Sequence, residues 1–244
     1  MTQFAFGSGA LYAVRTDISP STPLRFGALQ DIQVDFSSDL KELYGQGQYA
    51  LALARGKAKI EGKAKFAQVN GALFNSLFFG QSLATAQLVV VQNEAGVVPT
   101  GGGNVTAVHG SAFQADLGVT YAATGIPLTR VAASPALGQY TVTTAGVYGF
   151  AVGDAGAAVL LNYDYLATVG SEIAITNLPM GQAPVFQAVF VAPFNAKQLT
   201  LQLNACVAAK LSLPTKIDDW SIPELDFQAQ ADSAGNIGSL SLSE

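Results

Sequence analysis

Charge is scarce in this chain. Of its 244 residues only 12% are Asp, Glu, Lys or Arg, against about 25% in ordinary soluble domains. Half of the residues are hydrophobic. That excess needs a place to hide, and subunit interfaces are the natural one. Long apolar runs are missing as well: none reaches the roughly 18 residues that mark a membrane-spanning helix. The single cysteine, Cys206, excludes an intrachain disulfide and reads as a small side chain on one face of a strand. The single histidine, His109, sits in a loop-like stretch. One His and one Cys cannot fill a zinc site, and nothing supports a nucleophile–His pair. Gly101, Gly102 and Gly103 lack the Lys-Ser/Thr of a phosphate-binding loop, and Gly7-Ser8-Gly9 lacks the rest of a dinucleotide fingerprint. The expectation is therefore no catalytic residue, no cofactor and no metal. The N-terminus has no basic region ahead of an apolar stretch, so secretion by a signal peptide is not supported. A net charge of −5 argues against tight nucleic-acid binding but not against transient passage of DNA.

Positive charge is concentrated instead of spread. Arg55, Lys57, Lys59, Glu61, Lys63 and Lys65 occupy alternate positions, with Gly56, Ala58, Ile60, Gly62 and Ala64 between them. A two-residue repeat sends alternate side chains to opposite faces of a strand, so this stretch reads as a charged ladder backed by a small, apolar face. Five of the twelve basic residues stand on it. Tyr49, Leu51 and Leu53 share the parity of Arg55 and Lys57, so one face changes from apolar to charged part way along. A bulge or bend at Gly56 or Gly62 would resolve the switch.

The rest of the chain reads as mainly β. Phe4-Ala5-Phe6-Gly7, Leu11-Tyr12-Ala13-Val14 and residues 26–36 are strand-like, with a Pro-containing loop at 19–23. Residues 37–48 break the alternation. Residues 38–44 suit a helical turn or a mobile loop, and Leu40, Leu43 and Tyr44, apolar in polar surroundings, suit either local packing onto the parent domain or an arm ordered against a neighbouring subunit. The best helix candidate is 68–79, where Val69, Leu73, Leu77 and Phe74 or Phe78 follow i, i+4 spacing and Gly80 supplies a stop. A strand over 83–91 is followed by a flexible Gly-rich connector at 96–104. Short strands punctuated by Gly, Pro, Ser and Asp then run to about residue 169. Long alternating strands return with Phe186, Ala188, Phe190, Ala192 and Phe194, then Leu199 to Leu213 at every second residue, then Leu225, Phe227 and Ala229. The expected organisation is a core from 1–94 and 171–244, interrupted by a β-rich module at 95–170. Asp218, Asp219, Glu224 and Asp226 form an acidic cluster. It fits a solvated turn, a carboxylate pair for hydrolysis or calcium, or a partner for the basic ladder within or between subunits.

Two sets of residues carry a family likeness. Leu43-Tyr44-Gly45-Gln46-Gly47-Gln48-Tyr49, Ala54-Arg55-Gly56-Lys57 and Leu73-Phe74-Asn75-Ser76-Leu77-Phe78-Phe79-Gly80 resemble major tail tube proteins of long-tailed bacteriophages. The closing part is similar too, through Gly181-Gln182-Ala183-Pro184-Val185-Phe186, Lys210-Leu211-Ser212-Leu213-Pro214-Thr215-Lys216 and Asp226-Phe227-Gln228-Ala229. In the centre, Gly138-Gln139-Tyr140-Thr141-Val142, Gly146-Val147-Tyr148-Gly149-Phe150 and Asp154-Ala155-Gly156 resemble a β-rich segment common in phage virion proteins. The resemblance implies a β-sandwich or barrel-like subunit with one flanking α-helix. Such subunits form hexameric rings that stack head to tail into a tube for DNA ejection. It also implies a virion component assembled in the host cytoplasm, with the tape measure protein, the tail terminator and passing DNA as further partners and no membrane insertion. On that reading Leu40, Leu43, Tyr44, Arg55, Lys57, Lys59, Lys63 and Lys65 are interface candidates, Val69, Leu73, Phe74, Leu77 and Phe78 form the helix core, and 95–170 is an outward decoration or enlarged loop region. The alternative is an adhesin-like surface β-domain that binds a ligand or carbohydrate.

Overall fold

Side chains that alternate between apolar and polar can bury one face of a strand, and this chain does so in long antiparallel ladders. The computed structural model describes residues 7–242 and is mainly β; the strand reading of Phe4 to Phe6 lies outside the described residues. The chain forms two units, one built from its two ends and one from residues 84–172. The boundary expected at residue 95 falls inside a strand, Gln87–Val97, so the second unit starts earlier, at Ala84.

The first unit holds β1 (Ala10–Arg15), β2 (Leu24–Arg25), β3 (Leu29–Tyr44), β4 (Ala50–Phe66) and a short helix, α1 (Gly71–Phe74). The chain leaves it through β5 (Leu83–Ala84). The second unit holds β6 (Gln87–Val97), β7 (Gly103–Thr106), β8 (Phe113–Tyr121), β9 (Thr129–Arg130), β10 (Gln139–Val142), β11 (Val147–Phe150) and β12 (Ala158–Ala167). The chain returns through β13 (Glu172–Ile173), which pairs with β5. The first unit then resumes with β14 (Val185–Phe194), β15 (Lys197–Ser212), β16 (Glu224–Gln230) and β17 (Gly238–Leu242).

The sheet of the first unit runs β2-β1-β14-β15-β16-β4-β3, with β17 on β15. β16 pairs with residues 205–212 of β15 and β17 with residues 199–203. Since β14 takes the other edge of β15, β16 and β17 follow one another along a single edge. One face of this sheet carries the core: Leu11, Phe26, Phe66, Phe186, Leu225 and Phe227, closed by Leu73, Phe74 and Leu77 of the helical segment. Phe66 sits edge-on to Phe26 with centroids 5.2 Å apart and tilts against Phe74, a geometry that adds to area burial.

The helical segment is shorter than its i, i+4 pattern predicts. Asn70 caps it, its Oδ1 accepting from the Ala72 and Leu73 amides at 3.0 and 3.3 Å. Val69 therefore precedes the cap and is exposed. From Asn75 the turn widens and closes with a bond from the Gly80 amide to the Asn75 carbonyl at 2.6 Å. Gly80 terminates it in the left-handed region, φ 65°. Phe78 is half-buried. Packing against the sheet holds these nine residues, because two turns alone are marginal in water.

Residues 38–44 are strand and not a helical turn or a loop; only 45–49 form a turn. β3 continues as strand to Tyr44 and pairs with β4 back to Ala50. The local polarity misled the reading, because a two-stranded ribbon with water on both faces needs no alternation. The connector expected at 96–104 is also shorter: β6 runs to Val97 and β7 begins at Gly103.

In the second unit a three-stranded sheet, β6-β12-β8, and a four-stranded one, β7-β11-β10-β9, share one core. It is built on Tyr140, Tyr148, Phe150, Val159, Leu161 and Tyr163. Buried tyrosines need partners for their hydroxyls, and carboxylates supply them. Tyr140 and Tyr148 donate to Asp116 at 2.7 and 3.1 Å. Tyr163 donates to Glu94 at 2.5 Å, and Tyr121 donates to Asp154.

Candidate subunit interface

β4 has two neighbours over only part of its length. β16 accompanies it from Lys65 to Ile60. Below Ile60 its one partner among the described residues is β3, so residues 37–59 form a ribbon of two strands projecting past the sheet. A pair of strands without a third is marginal in water. This one nevertheless exposes Leu40, Leu43, Tyr44, Tyr49, Leu51 and Leu53, with Tyr49 84% and Leu51 74% accessible.

A bulge sets the faces of the ribbon. Ser38 faces Ala58 and Leu40 faces Arg55, so two steps on β3 match three on β4 and the extra residue lies around Gly56 and Lys57. This is the parity switch that the sequence requires. It also corrects the reading of one continuous ladder. Arg55 lies across from Leu40, and Leu53 across from Glu42. Their face continues that of Phe36 and Ile60, which is the core side of the sheet. Lys59, Lys63 and Lys65 stay on the opposite, polar face beside Ser37, Gln33 and Asp31. At Gly56 a Cβ would stand 3.3 Å from the Lys41 side chain and 3.4 Å from Asp39, so the bulge crowds the polar face of the ribbon.

The two ends of the ladder differ in their company. Lys63 Nζ is 3.0 Å from Glu224 and 4.0 Å from Asp226, and Lys210 Nζ approaches the same Glu224 oxygen at 3.2 Å. Lys65 lies 3.9 Å from Asp31 and Lys59 4.0 Å from Glu61. The hydrogen bond from Lys63 holds the Glu224 carboxyl below its ordinary range, against the opposing effect of burial, with Lys210 adding to it. The same bond raises the Lys63 ammonium. Of the three readings open for the acidic cluster, Glu224 and Asp226 thus take the third, pairing with the basic ladder of their own chain. Asp219 takes Lys216 at 2.7 Å, and Asp218 makes no ion pair among the described residues. No group of three or more His, Cys, Asp or Glu suited to a metal occurs among the described residues.

Where the ribbon parts from the sheet, an apolar groove of about 240 Å³ opens over Phe36, Ile60, Leu201, Leu203, Ile237 and Leu240. β17 borders it, with Leu240 and Leu242 exposed. The sequence offered no sign of this groove, because it arises from residues far apart in the chain meeting at the point where β4 leaves β16. His109 lies in the other unit, stacked on Tyr165 with ring centroids 4.0 Å apart. Comparison of the chain with models of known protein families and with curated proteins finds no match.

Proposed function

We propose that the protein is the structural subunit of a bacteriophage tail tube, which assembles into hexameric rings stacked into a channel for DNA ejection. The observation that carries this reading is the ribbon at 37–59, whose apolar side chains stand in water in a single chain. A monomer has no use for such a surface, and burying it at about 25 cal/mol per Å² of apolar area drives association. Two further features support the reading. The outer edge of β3 has no strand beside it among the described residues, and sheet edges of this length favour pairing with another chain. The basic ladder is partly neutralised by Glu224, Asp226 and Asp31 of its own chain, which reduces the conflict between a positive stretch and a channel that must release DNA. Tape measure protein and tail terminator are the further partners of such a tube.

Negative-stain microscopy of the concentrated protein tests the proposal. Rings or tubes with a central hole are expected. Compact single particles that bind glycans would favour an adhesin-like surface domain instead.

A further inference from the structure

The loop from 213 to 223 joins β15 to β16 and projects its apolar residues outward. Ile217 is 99% and Trp220 82% accessible, and Leu213 is exposed beside them. The loop has a defined shape all the same. Asp219 binds Lys216 and accepts from the Trp220 amide at 2.8 Å, and the Ser221 hydroxyl donates to the Pro214 carbonyl. It is a shaped knob with an aromatic tip and an unpaired carboxylate, Asp218. Tryptophan is among the residues enriched as anchors of protein interfaces.

The groove beside the ribbon is the matching depression. Its floor is apolar and roomy enough for one large aromatic ring. The bulge in β4 turns Arg55 onto the groove side, next to Leu53 and across from Leu40. Arg55 makes no ion pair among the described residues, and neither does Asp218 on the knob. Knob and groove are thus both apolar, and each has an unpaired charge of opposite sign beside it.

They do not meet within one chain, where Trp220 is exposed and does not line the groove. Glu224, where the knob ends, pairs with Lys65, whereas the groove opens beyond Ile60, which pairs with Ala229. Five residues of strand separate them, roughly 17 Å. We propose that the knob of one copy docks in the groove of the next, with Trp220 as the anchor and Asp218 against Arg55. The contact deepens the self-assembly reading and rests on it. It joins two different patches, so it is heterologous and propagates.

Two variants of the full chain separate these ideas. Trp220→Ala with Asp218→Arg disables the knob and leaves the groove; Leu240→Asp with Arg55→Glu does the reverse. All four positions are exposed, and circular dichroism with thermal melting checks the fold. In sedimentation velocity each variant alone should need a concentration at least roughly 30-fold above wild type to associate, the effect of losing an interface anchor. Mixed one to one, they should form a heterodimer that grows no further, since one good knob meets one good groove. The charge exchange Arg55→Asp with Asp218→Arg in one chain should restore assembly relative to either single change. If the wild type assembles while the knob variant assembles equally well, or the mixture yields no heterodimer, this contact is overturned and the tube reading stands. If the wild type itself never associates, both fall.

Discussion

Phe227 lies over Gly62, its partner across the β4–β16 ladder, so closely that a Cβ on Gly62 would come 2.1 Å from Phe227 Cζ. The glycine is required by the ring and not by the backbone. Phe227 is buried and packs edge-on to Phe186, so it has little room to retreat. Gly62→Ala should cost about 1–3 kcal/mol, read as a lower urea midpoint. Gly56→Ala is the control. Its Cβ would meet the Lys41 side chain at 3.3 Å in an exposed ribbon, and the loss there should be under about 1 kcal/mol.

Acid should weaken the first unit through Glu224. Its folded-state value lies below its ordinary one because Lys63 and Lys210 hold the charged form. A carboxyl lowered in this way contributes stability above its unfolded value of 4.5, and loses it as pH falls through the folded value. Urea midpoints should therefore decline below about pH 5. In Lys63→Met the decline should be shallower and the neutral-pH midpoint lower. An identical slope in both proteins would show that this pair does not contribute.

Asp116 pins the core of the second unit. Its side chain is 4% accessible and accepts from the Tyr140 and Tyr148 hydroxyls and the Gly118 amide. Burial, followed by the neighbouring carboxylate, raises both phenols, so they stay protonated donors. Asp116→Ala strands two buried hydroxyls and should cost about 2–4 kcal/mol. The loss should be confined to the unit that contains it, as seen by tyrosine fluorescence in a denaturant titration.

Cys206 should behave as a core residue. It is fully buried, and burial pushes its thiol up to about 12. A thiol-reactive dye at pH 8 should label it only after unfolding, so the labelling rate reports opening of the sheet at β15.

The sequence speaks most clearly where one face of an element meets water and the other the core. Phe186, Leu201, Leu203, Leu225 and Phe227 alternate, and all of them are buried. Gly80 ends the helical segment as a glycine should. The parity conflict between Leu53 and Lys57 announced a bulge that lies at Gly56. Residues 37–44 were illegible as strand, because a ribbon wet on both sides imposes no period. The start of the helix was blurred by Val69, which fits the spacing yet lies outside the Asn70 cap. Lys63 and Glu224 are far apart in the chain and meet only through sheet order, so the acidic cluster alone left three readings open. The groove needs the positions of β17 and the ribbon together, which no local pattern encodes.

The central claim is that the ribbon is completed by another copy of the chain. Hydrogen exchange of the amides in 37–44 and 50–59, followed as protein concentration rises, tests it most directly. At low concentration these amides should exchange quickly, while those of β14 and β15 stay protected. At concentrations where the protein associates, the ribbon should become protected and β14 and β15 should not change. Protection of the ribbon that is the same at every concentration, whether high or absent, would contradict the account.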